Sequence, residues 1–102
     1  MKINVLDRIS LLNILPQKGG MKTIILKEDI EKKIKVKQEE LKKIDFVEVD
    51  GKSEFNIEKA EKLKIDLEFT NAELDLIKDA LDKIDKQEEF TSAHVKIYNL
   101  FK

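Results

Sequence analysis

The sequence has no cysteine, one proline, three glycines, one histidine and, among twenty basic residues, one arginine. Without cysteine the chain forms no disulfide and offers no thiolate, which suits a reducing cytosol. A lone histidine, His94, builds no His-pair metal site and leaves no spare base for a Ser-His-Asp arrangement. Arg8 stands against nineteen lysines, and bidentate reading of guanine or of a carboxylate is mainly arginine's work. Sequence-specific nucleic-acid binding is therefore poorly provided for. Aromatic residues make up 6% of the chain, and none stand side by side as a platform for stacked bases. The two adjacent glycines in "QKGGMK" lack the spacing and the Lys-Ser/Thr ending of a phosphate loop.

Long hydrophobic runs are also missing. No apolar segment approaches the roughly 20 residues that a bilayer requires. The opening "MKINVLDRISLLNILP" interrupts its apolar run with Asp7, Arg8 and Asn13, so it lacks the unbroken stretch of a secretory signal. These absences lead to the expectation of a soluble, cytoplasmic protein with no membrane role.

What is present points to a folded chain. Of 102 residues, 41% are hydrophobic and 40% charged. That length makes one domain, residues 1–102, with a single modest core. The apolar residues are too many and too periodic for disorder. A formal net charge of −1 hides a gradient: residues 1–65 carry fifteen Lys or Arg against twelve Asp or Glu, residues 66–102 five against nine. The gradient is mild, since mixed charges at close spacing cancel within a Debye length.

Apolar spacing predicts a helix over residues 3–15, stopped by Pro16 and Gly19–Gly20. Leu26, Ile30 and Ile34 predict a second helix over 23–35, and Leu41 with Ile44 a short third one over 37–44. The period then changes to two. Val47 and Val49, then Asp50-Gly51, then Phe55 and Ile57 predict a hairpin. "LKIDLEF" alternates, with Leu63, Ile65, Leu67 and Phe69 on one face, and predicts a half-buried strand over 63–69. Thr70 with Glu73 is a capping-box pattern, and Leu74, Ile77, Leu81 and Ile84 continue it as a helix. A break at Glu88–Phe90 and a second cap at Thr91 lead into a terminal helix. The expected fold is α+β: about five helices with a small two- to three-stranded antiparallel sheet in the middle of the chain.

Two groups of charged residues invite a functional reading. Asp75, Asp79 and Asp82 fall within about 60° on the helical wheel, opposite the apolar stripe. Carboxylates on one exposed face diverge into solvent, whereas a metal needs oxygens converging from several elements. Lys83 and Lys86 follow Asp79 and Asp82 at the spacing of helix ion pairs. A solvated face is the plain reading, and an acidic surface for a basic partner the functional one. The second group is lysine-rich: eight lysines lie between Lys22 and Lys43 with five acids among them. Glu28–Lys32 and Asp29–Lys33 read there as stabilising pairs. Three helices and a hairpin also follow the order of a winged helix, with Lys37, Lys42 and Lys43 as phosphate contacts. Glu39 and Glu40 on the supposed reading helix oppose it. No pair among the twenty-one acids stands out as a catalytic couple. The expectation is a protein that is not an enzyme and carries no cofactor and no metal.

The stretches "LDRISLLNILPQKG", "TIILKEDIEKKI" and "LIKDALDKIDKQEEFTSAHVKIYNLF" resemble a family of small uncharacterised proteins encoded by phages and prophages. The family pattern opens with Leu-Pro-x-x-Gly and closes with Leu-Thr-x-x-His-x-x-x-Tyr-x-x-Phe. Leu15, Pro16 and Gly19 match the first, and Thr91, His94, Tyr98 and Phe101 the second, with Phe90 in place of the leucine. These are core and capping residues, and the middle of the chain matches weakly. The resemblance implies a mobile-element gene expressed in a bacterium and carries no catalytic residue across; the abundance of lysine and isoleucine agrees with an AT-rich genome. The expected function is binding of a host or phage protein, for instance to block an antiviral defence as anti-CRISPR proteins do. A winged-helix DNA-binding regulator is the alternative.

Overall fold

Asn4 stands at a junction between extended and helical backbone. Its side-chain oxygen accepts the Asp7 N–H at 2.8 Å and so caps the first helix. The computed structural model describes residues 1–101. In it a short strand β1, Lys2–Asn4, leads directly into α1, Val5–Ile14. Helix α1 stops before Leu15, whose extended backbone is what a following proline imposes. Helix α2, Met21–Ile34, begins two residues ahead of its expected start, and α3 is Gln38–Lys43.

The Asp-Gly hairpin forms as the sequence indicates. Strands β2, Val47–Val49, and β3, Lys52–Glu54, pair antiparallel with Val49 opposite Lys52. Asp50 and Gly51 both have positive φ, 52° and 76°, the requirement of the tight turn whose twist matches its strands. Phe55 and Ile57, expected on the return strand, lie beyond it. Asn56 accepts the Lys59 N–H at 2.9 Å and opens a helix absent from the sequence reading, α4, Ile57–Lys62.

The strand expected over 63–69 contracts to β4, Lys64–Asp66, and its partner is not the hairpin. It pairs antiparallel with β1, Ile65 opposite Ile3. The small sheet is thus two separate two-stranded ribbons. Helix α5, Asn71–Lys86, has both bonds of the capping box: Thr70 Oγ1 accepts the Glu73 N–H at 3.2 Å, and Glu73 accepts the Thr70 N–H at 2.7 Å. Helix α6, Ser92–Phe101, follows a break at Glu88. The fold is α+β with six helices among the described residues.

Helix α1 packs on α6, α2 packs on α5, and α5 also meets α6. The larger core lies among these four, with Leu11, Ile30, Ile34, Ile77, Leu81 and Ile97 at 0–1% exposure. Each such side chain contributes about 1.5–3 kcal/mol by leaving water. A second, smaller core forms where Val5, Ile44 and Ala60 meet, covered by Leu41, Phe46, Phe55 and Leu63. Helix α1 feeds both. No helix among the described residues is long and apolar enough to cross a membrane.

Candidate interaction surface

The amphipathic repeat of α5 turns Ile77, Ala80 and Leu81 inward, and the opposite arc carries Asp75, Asp79 and Asp82, all exposed. Among the described residues none of the three forms an ion pair. The expected pairs of Asp79 with Lys83 and of Asp82 with Lys86 do not form. Asp79 and Asp82 share the rim of a groove of about 490 Å³ between α5 and the loop after α1, with Ile14 and Leu76 in its lining. Lys18, Lys83 and Lys86 line the same groove, so its rim carries both signs. Asp75, about one turn away, does not line it. The row is therefore two aspartates at a groove and a third on open surface.

Helix α3 presents its lysines differently. Lys37, Lys42 and Lys43 are exposed, but Lys37 sits at the N-cap with extended backbone, φ −80° and ψ 160°. Lys42 and Lys43 diverge by about 100° around the axis. The helix has six residues, a rise of about 9 Å. These three cations form no common row along it.

The sequence reading counted Glu40 among the acids facing outward on α3, and the structure turns it inward. Glu40 meets Arg8 as a fork, with Nη1 to Oε2 at 2.5 Å and Nη2 to Oε1 at 3.0 Å. Arg8 is fully buried, and its Nε and Nη2 also donate to the carbonyls of Ile34 and Lys35 at 3.0 and 2.6 Å. These carbonyls end α2, where the helix dipole favours a cation. The Arg8 guanidinium holds the Glu40 carboxyl below its ordinary value; partial burial opposes this and the Lys37 N–H adds to it.

No family model, no curated protein and no solved structure matches the chain.

Another acid, this one buried, is equally committed. Glu73, 2% exposed, accepts from the Lys33 ammonium at 2.5 Å and from the Thr70 N–H at 2.7 Å. Burial works against its charge, yet Lys33 and the Thr70 N–H outweigh burial and lower its pKa. Lys33 also lies 5.8 Å from the Phe69 ring centre. The expected pairs Asp29–Lys33 and Glu28–Lys32 are absent; α2 instead has Lys27–Glu31 at 3.4 Å. His94, half-buried, caps its own helix: Nδ1 accepts the Thr91 N–H at 3.1 Å. Among the described residues no three acids or histidines are placed to hold a metal ion. Every buried side-chain polar atom there has a partner.

Tyr98, read from the sequence as one of the core and capping residues, is instead 40% exposed, and the surface that it forms was missed. Phe90, half-buried, stands edge-on to Tyr98 with ring centres 6.1 Å apart, and Val95 is 50% exposed beside them. The signal was available in the i, i+3 spacing of Val95 and Tyr98 on the outer arc of α6.

Proposed function

We propose that this is a small non-catalytic protein that acts by binding another protein, with the acidic arc of α5 turned to a basic surface. The observation that carries the reading is the exposure of Asp75, Asp79 and Asp82 on one arc of a sixteen-residue helix without a pairing lysine among the described residues. Unneutralised charges held on a packed helix steer and orient a partner of opposite sign. The two acids with lowered pKa in buried or half-buried positions, Glu40 and Glu73, are each engaged with a cation that joins two elements. Their perturbation has a structural cause, which favours a binding role over acid–base chemistry.

The resemblance to small phage and prophage proteins supplies the context: the cytoplasm of a bacterium, and a partner there such as a component of an antiviral defence, blocked in the manner of an anti-CRISPR. Nucleic-acid channels in such enzymes are basic, and an acidic helix face suits them. The test is a capture of partners from the producing bacterium by tagged protein and by Asp75→Lys/Asp79→Lys/Asp82→Lys. Loss of a partner from the variant, with helicity and melting retained, is the expected result. A partner held equally by both forms counts against this surface.

The alternative reading, a winged-helix regulator, draws on the hairpin that follows α3 and on exposed Lys37, Lys42 and Lys43. Anisotropy titrations of duplex DNA at two salt concentrations decide it, because phosphate contacts weaken steeply with salt.

A further inference from the structure

Tyr98 divides two shallow clefts at the junction of α5 and α6. One, about 420 Å³, is lined by Asp85, Phe90, Val95 and Tyr98. The other, about 250 Å³, has Asp82 beside Tyr98, with Lys78 also in its lining. The difference between them is decisive. Lys78 supplies a local cation on the Asp82 side, whereas the Asp85 side has a carboxylate, two aromatic rings and a valine, and no basic residue. Asp85 is exposed and in no ion pair among the described residues. Tyr98 and Val95 are 40% and 50% exposed, so a continuous apolar wall faces water next to that charge.

A wall of aromatic carbon beside one free carboxylate complements a specific chemistry. Arginine has an aliphatic stem for Val95, a planar cation that stacks on an aromatic face, and a fork that a carboxylate accepts in two bonds. Lysine would gain the charge without the stacking plane. We propose that the Phe90–Val95–Tyr98 cleft, closed on one side by Asp85, takes an arginine side chain of a basic protein partner. The proposal rests on the protein-binding reading above and gives that partner a specific anchor. It adds Asp85 and Tyr98 to the surface, next to Asp82.

The probe is the capped peptide acetyl-Gly-Arg-Gly-amide, titrated into the protein while the ring resonances of Tyr98 and Phe90 are followed by NMR. The neutral citrulline peptide, nearly the same shape, is the control. Saturable shifts with arginine are expected, about tenfold weaker with citrulline and about tenfold weaker in Asp85→Asn. Asp75→Asn/Asp79→Asn should weaken the peptide less than Asp85→Asn does, since neither residue lines the cleft. Equal affinity for the citrulline peptide, unaltered arginine binding by Asp85→Asn, or no saturable shift would each overturn the proposal. If the peptide binds while partner capture survives reversal of the α5 aspartates, the acidic-arc reading fails and the arginine cleft stands. If capture is lost on reversal and the peptide does not bind, the cleft fails alone.

Discussion

The guanidinium of Arg8 makes four hydrogen bonds, two to Glu40 and one each to the Ile34 and Lys35 carbonyls. Its side chain is 1% exposed and that of Glu40 12%. One residue of α1 therefore closes the end of α2 and fixes the start of α3. Removing Arg8 alone strands the half-buried Glu40 carboxylate and leaves the Ile34 and Lys35 carbonyls without a donor, a cost of about 3 kcal/mol at the low end for a broken buried pair, whereas removing Glu40 as well spares the stranded charge. Arg8→Met should destabilise the protein by about that amount in urea unfolding, and Arg8→Met/Glu40→Leu by less. An additive double variant would show that the pair is not coupled. The burial of Arg8 was not read from the sequence, where Arg8 counts as a charge interrupting the apolar run; its place between buried Val5 and Leu11, three residues from each, puts it on the inner face. Its partner was not legible either, because nothing in "KQEELKK" tells which of two adjacent glutamates turns inward. The acidic arc of α5 was legible from its periodicity, while Lys33 reaching Glu73 across forty residues was not. The cleft at Tyr98 was hidden because Phe90, Val95 and Asp85 lie on three separate segments.

Four of the six described helices begin where the sequence supplies a side-chain acceptor; α2 starts at Gly20 and α3 at Lys37 without one. Asn4, Asn56, Thr70 and Thr91 each accept a backbone N–H three residues on. The Thr70 cap does more than the others, because the Glu73 carboxylate that accepts the Thr70 N–H also holds Lys33 of α2. Thr70→Ala should cost about 1 kcal/mol, a fall of roughly 4–8 °C in Tm for a chain of this size, and Thr70→Ser nearly nothing. A thermal melt followed by circular dichroism reads both, and equal melting of the two variants would refute the cap's role. Elements with such signals and a long apolar stripe, α5 above all, were readable in advance. Helix α4 was not, because "NIEKAEK" buries only Ala60 among its helical residues and Ile57 is 61% exposed, so no stripe announces it. Strand β1 was hidden differently. Three residues carry no readable alternation, and β1 exists because β4 lies opposite it across sixty residues of chain. Local pattern specifies local elements, and a ribbon joined across the whole fold leaves almost no local trace.

At the scale of the whole molecule, two pairs of helices are tied by carboxylates, one buried (Glu73) and one half-buried (Glu40). Glu40 joins α3 to α1, and Glu73 joins α5 to α2. Both have pKa values lowered in the folded protein from an ordinary value of 4.5. A carboxyl that binds its proton less readily when folded stabilises the fold at every pH above its unfolded pKa. That stabilisation declines as pH falls below about 4.5 and is gone once pH has passed through the lowered folded value. Below 4.5 the unfolded chain therefore holds more protons than the folded one at these sites, and stability rises with pH. Each carboxyl adds at most about 1.4 kcal/mol per pH unit to this slope. Urea unfolding at intervals between pH 7 and pH 3 should show a midpoint that is flat near neutrality and falls in acid. Glu40→Gln/Glu73→Gln should be less stable at pH 7, because each cation loses its counter-charge, and should have a shallower acid slope. An acid slope equal to that of the unaltered protein would place its origin among the surface carboxylates. The long-range ties of α1 to α3 and of α2 to α5 would then contribute nothing specific to acid sensitivity.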